Sequence, residues 1–365
     1  MASSSKQPGI AANTSILTPV MTLKGHTQFS FSLDYKPKYI SHISYFPGSK
    51  QMIGGSNDNV IQRWDLREGK EIKEAREVYK DLVHQVGVSR DGRWVVTAVS
   101  EKLNVCEVET GIVRTFHDGL VINCIDLSAD NTFLAGGSDD RTCMIWSLDT
   151  GKLVAGPFRI FGSIMSVQLS EDSRKLAVTS WRWRTRAKES CLQVWDVQTQ
   201  KSVVVRNKCI DNFTWIRTPV LWTTKDKLIM TTFTSDDDMT TIHERDVSTF
   251  ETVEDSFQGH TGVIKSLALS FDRLLLASAS FDNTIKLWSF GSRQLLASFD
   301  VQAPFVLILS PDSHQLAYTN RDEARIYICN IPANVLTSIG LAKDVCIHPF
   351  MIRVLKSLAD KRSPH

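Results

Sequence analysis

The sequence predicts an all-β fold, a ring of seven small antiparallel sheets. Three observations predict it. The first is a hairpin: the apolar run Leu275-Leu-Ala-Ser-Ala-Ser280 meets Phe281-Asp-Asn-Thr284 and then the alternating Ile285-Lys-Leu-Trp288. Two extended runs around an Asp-Asn turn make a β-hairpin. The second is recurrence. Trp64, Cys106, Trp146, Trp195, Arg245, Trp288 and Cys329 hold equivalent positions, at successive gaps of 42, 40, 49, 50, 43 and 41 residues. The third is a repeated turn, seen at Ser89-Arg-Asp-Gly92, Ser128-Ala-Asp-Asn131, Ser170-Glu-Asp-Ser173, Ser270-Phe-Asp-Arg273 and Ser310-Pro-Asp-Ser313. A unit of this size cannot bury its own faces, so the seven must stack against one another.

Gly259-His260 opens the sixth unit and Trp288 stands near its end, so the unit resembles a WD40 repeat. The resemblance covers roughly residues 18–332 and implies a seven-bladed WD40 β-propeller. It also implies a buried hydrogen-bonded cluster, with His260 bonded to Asp282 and the chain extended by Ser278 and the Trp288 indole. Such a network stabilises only when every member is satisfied.

Taken in order, residues 1–16 are rich in Ser, Ala and Gly and are expected to be a disordered tail. Residues 17–332 form the ring and 333–365 an extension. The segment Pro19–His26 resembles Glu251–His260, so about residues 19–24 should be the outer strand of the last blade. That closes the ring and covers an open edge. Blade 1 carries His26, Asp58 and Trp64, with Gly54 in the hydroxyl position and an insertion near Phe29 to Lys38. Blade 2 has Cys106 for Trp and no turn Asp. Blade 3 keeps Asp140 and Trp146, with Asp118 in the place of the His. Blade 4 keeps Trp195 after an expanded turn, and blade 5 is recognisable by Arg245-Asp246. Blade 6 alone has the full set, and blade 7 has Cys329 for Trp. Helical spacing of Ile352, Leu355 and Leu358 predicts a short helix within 349–360, either lying against the ring or docking a partner.

A net charge of +2 argues against a general nucleic-acid or anionic-membrane binder. No apolar run approaches the roughly 18 residues of a membrane span. Met1–Ile10 lacks an apolar signal core, so a cytoplasmic or nuclear location is expected. Seven cysteines without a Cys-x-x-Cys read as buried free thiols. No cofactor and no metal are expected, since the nine His are scattered. There is no phosphate-cradling loop or nucleophile elbow, and His84 with Asp139 is a weak case for an acid–base pair.

The resemblance implies that one face, formed by the starts of the first strands and the turns ahead of the Trp-bearing strands, binds partners. Tyr39, His84, Asn123, Lys265 and Phe305 take the first kind of position; Asn57, Asp139, Trp181 and Phe281 take the second. Blade 4 departs from the pattern, with Trp181-Arg-Trp-Arg-Thr-Arg-Ala-Lys188 read as a long basic and aromatic loop. Trp181, Arg182, Trp183, Arg184 and Arg186 match what interfaces enrich. Three readings stay open for this loop: pairing with Asp236, Asp237 and Asp238 of blade 5, a partner surface, or stacking on single-stranded nucleic acid.

On the opposite face, Met52–Arg67 resembles the box by which some WD40 proteins dock the adaptor of cullin-RING ubiquitin ligases, with Asp58, Trp64, Asp65 and Arg67 matching. The leading expectation is a monomeric, non-catalytic scaffold that binds a protein or peptide. The alternative is a ligase substrate receptor, and the third reading is an enzyme or small-molecule binder.

Overall fold

The run Leu275–Ser280 is buried along its whole length, so its sheet is covered on both faces. The covers are neighbouring sheets, and seven of them close a circle. The computed structural model describes residues 14–25, 39–56, 58–79, 82–184, 187–210, 219–224, 227–232 and 239–341. Through Asn330 these form a seven-bladed β-propeller of antiparallel sheets. Blade 6, with strands Ile264–Leu269, Leu275–Ser280, Thr284–Ser289 and Leu295–Asp300, is the complete pattern. Among the described residues blade 5 has three regular strands, and the stretch from Thr252 to Phe257 joins it through isolated bridges to Arg245 and Ile242.

The register confirms the repeat. Trp64, Cys106, Trp146, Trp195, Arg245, Trp288 and Cys329 each pair with the second residue of the preceding strand: Met52, Val95, Leu134, Leu176, Ile229, Leu276 and Leu316. The repeated turn is also one structure. In each, the Ser hydroxyl lies within 2.5–2.8 Å of the Asp carboxylate two residues on and accepts from the backbone N–H five residues on at 2.8–2.9 Å. The fourth residue is Gly92, Asn131, Ser173, Arg273 or Ser313, and each takes a positive φ.

The ring is closed from the N-terminal side. Met21–Leu23 pairs antiparallel with Ile326–Asn330 as the outer strand of blade 7. One expectation is corrected here. The tail expected over 1–16 yields a strand at Thr14–Ser15, which adds in parallel to the outer edge of blade 6 at Ser298 and Phe299. An outer strand leaves its far backbone groups unpaired, and a short extended segment satisfies them. Beyond Asn330 lies a second unit, whose described residues include the short helix Ala333–Ser338. The helix expected at 349–360, the Phe29–Lys38 insertion, His26 and Asn57 lie outside the described residues.

Inside blade 6 the cluster is complete. His260 Nδ1 meets Asp282 Oδ2 at 2.8 Å, and His260 Nε2 meets Ser278 Oγ at 2.7 Å. The Trp288 indole N–H donates to the same Ser278 oxygen at 2.8 Å. With Nδ1–H donating to Asp282, Nε2 accepts the Ser278 proton, so every member is satisfied. Burial alone would raise the Asp282 carboxyl, but bonds from His260, Thr284 and the Thr261 N–H hold it well below the usual carboxylate range.

Blades 1 and 3 replace the hydroxyl by closer packing. Gly54 and Gly136 occupy the register position of Ser278. A Cβ on either would stand 3.1 or 2.9 Å from the ring of Trp64 or Trp146, so the indole fills the space. In blade 3 the residue against Trp146 is His117, with ring centroids 5.9 Å apart, and not the expected Asp118. Leu103 faces His117 while Asn104 faces Thr115, so a bulge at Phe116 moves the chain on by one residue. With glycine opposite, His117 Nε2 is buried without a hydrogen-bond partner.

Adjacent blades are stitched near the axis. The Gln85 side chain bonds both backbone groups of Ile125, Leu169 N–H donates to Asp126 Oδ2 at 2.7 Å, and Trp222 N–H donates to Gln168 Oε1 at 3.0 Å. Burial pushes the Asp126 carboxyl up to about 7, while the Leu169 and Leu127 N–H groups and Arg90 pull the other way. Cys124, Cys143, Cys191 and Cys329 are buried and Cys106 is half-buried, and none of them is in a disulfide.

Two outcomes are expected. Ser278→Ala removes the acceptor of Trp288 and the donor to His260, and urea unfolding should show a loss of about 1–3 kcal/mol. Asp126→Asn keeps an acceptor for Leu169. Because the folded Asp126 holds its proton to a higher pH than the unfolded chain does, ionisation costs stability as pH rises toward about 7. Asn should therefore stabilise at pH 8, on the order of a few kcal/mol, and the gain should vanish as pH falls to about 4. A gain independent of pH would refute this.

Candidate functional site

Lys265 follows Ile264 at the start of the first strand of blade 6, and Phe305 holds the same place in blade 7. Tyr39 directly precedes Ile40 of blade 1, and Phe281 follows the second strand of blade 6. Ring closure makes blades 7 and 1 neighbours, so residues far apart in the chain meet. The Tyr39 and Phe305 rings pack edge to face, with centroids 5.0 Å apart. Lys265 Nζ stands 3.2 Å from the Phe281 centroid and 5.7 Å from that of Phe305. A desolvated cation over aromatic faces gains up to about 2 kcal/mol. Phe281 remains 39% exposed.

Burial pushes the Lys265 ammonium down to about 8. Arg321 acts in the same direction and Asp322 against it. Arg321 was absent from the sequence reading, although the signal was available. It is the first residue after Gln315–Asn320 of blade 7, as Phe281 is after Leu275–Ser280.

The expected loop in blade 4 is instead a projecting hairpin. Lys175–Arg184 and Ala187–Asp196 are ten-residue strands paired through Trp181 with Ser190, Arg182 with Glu189, Trp183 with Lys188 and Arg184 with Ala187. The reason is in the residues: Trp-Arg-Trp-Arg alternates with the period of a strand. Ser202–Ile210 runs beside it as a third long strand. Arg182 forks its Nε and a terminal nitrogen onto Glu189 Oε2, both at 2.7 Å. So an acid of its own hairpin pairs with Arg182. Arg186 and Asp236–Asp238 lie outside the described residues.

Elsewhere on this face, Asn123 donates to Asp139. His84 is half-buried in the first strand of blade 2. In the Met52–Arg67 stretch, Asp58 accepts from the Val60 N–H at 3.1 Å and Trp64 is 1% exposed. Arg67 forks onto Asp65, donating at 3.2 and 2.7 Å. That hydrogen bonding holds the Asp65 carboxyl down to about 2. Three of the four residues thus serve the blade itself, and the exposed Arg67 guanidinium is occupied by its neighbour. Among the described residues, no group of three or more His, Cys, Asp and Glu is placed to hold a metal. None of the described helices is long and apolar enough to cross a membrane.

A central cavity of about 910 Å³ lies inside the ring, lined among others by Tyr45, Asp126, Gln168, Trp222 and Phe271. It opens at the ends of the first strands, away from the cluster around Lys265.

Comparison with known proteins finds partial similarities. Residues 111–147 and 251–289 match the family described as WD domain, G-beta repeat. Rat apoptotic protease-activating factor 1 is 28% identical over 133 residues, 36% of this chain and 10% of that protein. Zebrafish WD repeat-containing protein 18 is 22% identical, covering 67% of this chain and 59% of its own. Silkworm (Bombyx mori) eukaryotic translation initiation factor 3 subunit I is 26% identical, covering 62% and 68%. The chain thus spans about a tenth of the first of these relatives and about three fifths of the second.

If the aromatic wall keeps Lys265 dry, Phe281→Ala should return its titration from about 8 toward the ordinary amine range. NMR titration of the lysine side-chain resonances reads this directly, and an unchanged midpoint would count against burial as the cause.

Proposed function

We propose that this chain, a propeller built of WD40 repeats, is a non-catalytic scaffold that binds a protein or peptide partner on the face carrying Tyr39, Lys265, Phe281 and Phe305. The cluster these residues form is the observation that carries the reading. Aromatic side chains and cations concentrate binding energy at interfaces, most of all where water is already excluded. Phe281 is exposed and Lys265 is partly dehydrated before any partner arrives, which lowers the cost of covering them. One relative is named as a subunit of a translation initiation factor, which fits a scaffold role. In this reading the blade 4 hairpin, with Trp181, Trp183 and Arg184 on its paired strands, is a second contact surface.

Affinity capture from native cell extract with quantitative mass spectrometry tests the proposal. Phe281→Ala combined with Phe305→Ala should deplete specific partners about ten-fold or more, because interface aromatics of this kind often contribute 2 kcal/mol or more. Trp181→Ala should deplete a subset. Thermal unfolding of each variant separates loss of contact from loss of fold. A partner set unchanged in both folded variants would refute docking on this face.

A further inference from the structure

Among the described residues, other cations drawn out of water have an acceptor. Arg182 has Glu189, Arg293 has Glu244 and Glu254, and Lys286 Nζ donates to Ser298 Oγ at 2.8 Å. Lys265 is treated differently. It is half-buried, and among the described residues no carboxylate stands within ion-pair distance of its ammonium. Its neighbours are the faces of Phe281 and Phe305, which offer π density and no oxygen. A second cation, the exposed Arg321, follows Asn320, which pairs with Pro304 beside Phe305, and its backbone N–H donates to the Ala303 carbonyl at 3.0 Å. Its charge works against the Lys265 proton, and Asp322 offsets this from beyond ion-pair range. Arg321 likewise has no ion-pair partner among the described residues. Two unpaired cations beside an aromatic wall raise each other's energy, and an anion placed between them relieves both.

We propose that Lys265 and Arg321 form an anion-binding subsite that takes the carboxylate of an Asp or Glu in an acidic segment of the partner. The inference rests on the docking reading above and narrows it to an acidic partner. The groups divide the work by their shapes. Arg321 offers a planar fork of N–H donors, while Lys265 supplies a compact charge. Phe281 and Phe305 exclude water, which strengthens charge-assisted hydrogen bonds to the carboxylate. The methylene stem of the acidic residue lies over Phe281, whose exposed surface it covers. Because the subsite needs the protonated amine, affinity is full below the Lys265 midpoint near 8 and falls as pH rises through it.

The probe is a fluorescein-labelled hexaglutamate peptide, with hexaglutamine as its neutral counterpart, read by fluorescence anisotropy on the full chain. The wild-type protein should bind hexaglutamate saturably and prefer it to hexaglutamine. Lys265→Gln and Arg321→Gln should each weaken binding about ten-fold, Lys265→Arg should retain most of it, and Arg67→Gln should leave it unchanged. Raising the pH from about 7 to about 9.5 should weaken the wild type more than Lys265→Arg. Equal binding of both peptides, or equal loss in Arg67→Gln, would overturn the subsite. If Phe281 and Phe305 still govern partner capture while hexaglutamate does not bind, the acidic subsite falls and the docking face stands. If the aromatic variants also leave partner capture unchanged, both fall.

Discussion

Met21 to Leu23, laid against Ile326 to Ile328, join the two ends of the ring. Leu23 is fully buried in a core with Ile40, Trp64 and Ile326, so the strand is held by packing as well as by backbone bonds. A three-stranded blade 7 would leave an open edge and an uncovered apolar face. Closure also creates the candidate site. Tyr39 meets Phe305 only because blade 1 is seated beside blade 7, where Thr319 Oγ1 donates to the Ile40 carbonyl at 3.2 Å. The geometry of the face therefore depends on a pairing that lies elsewhere in the ring.

Within that frame the blades solve one packing problem in different ways. Blade 6 uses a serine hydroxyl to join histidine and indole. Blades 1 and 3 delete the side chain and let the indole move in. Trp64 then donates to the Lys24 carbonyl at 3.3 Å. Blade 5 puts Arg245 in the same register, its guanidinium 4.8 Å from the Phe250 ring centroid and donating to the Phe250 carbonyl. Blades 1, 3, 5 and 6 thus keep a wide, flat group at this position, and its chemistry varies with what stands opposite, while blades 2 and 7 carry the smaller Cys106 and Cys329 there. The two stretches that match the WD repeat each run from the outer edge of one blade to the third strand of the next. Each such stretch is thus a clasp between blades.

Most of the ring was legible because its signal is periodic. A position that recurs at nearly constant spacing survives the exchange of Trp for Cys or Arg, as the strand register of Cys106, Arg245 and Cys329 shows. Features without a repeat were harder. Thr14–Ser15 pairs because an edge was left open, and nothing in two residues announces that. The blade 4 hairpin was readable from its alternation, but its charge and aromatic content drew attention from its period. The shift from Asp118 to His117 follows from a single bulged residue, which spacing alone does not reveal. At the site, Tyr39, Lys265, Phe281 and Phe305 were each identified by position. That they meet was hidden, because it depends on which blades become neighbours and where side chains turn.

The N-terminal strand has a consequence for how the protein is made. Met21–Leu23 leaves the ribosome roughly three hundred residues before its partner Ile326–Asn330 exists. At about 5–20 residues per second, an apolar segment waits on the order of fifteen to sixty seconds for its place. Blades 1 to 6 can form in that interval, yet the first blade lacks one neighbour until the last is complete. The nascent chain therefore carries a sticky end at each rim of an open arc, and a second nascent copy could supply the missing strand. Fidelity of assembly is set by how quickly the two ends of one chain find each other compared with those of two chains.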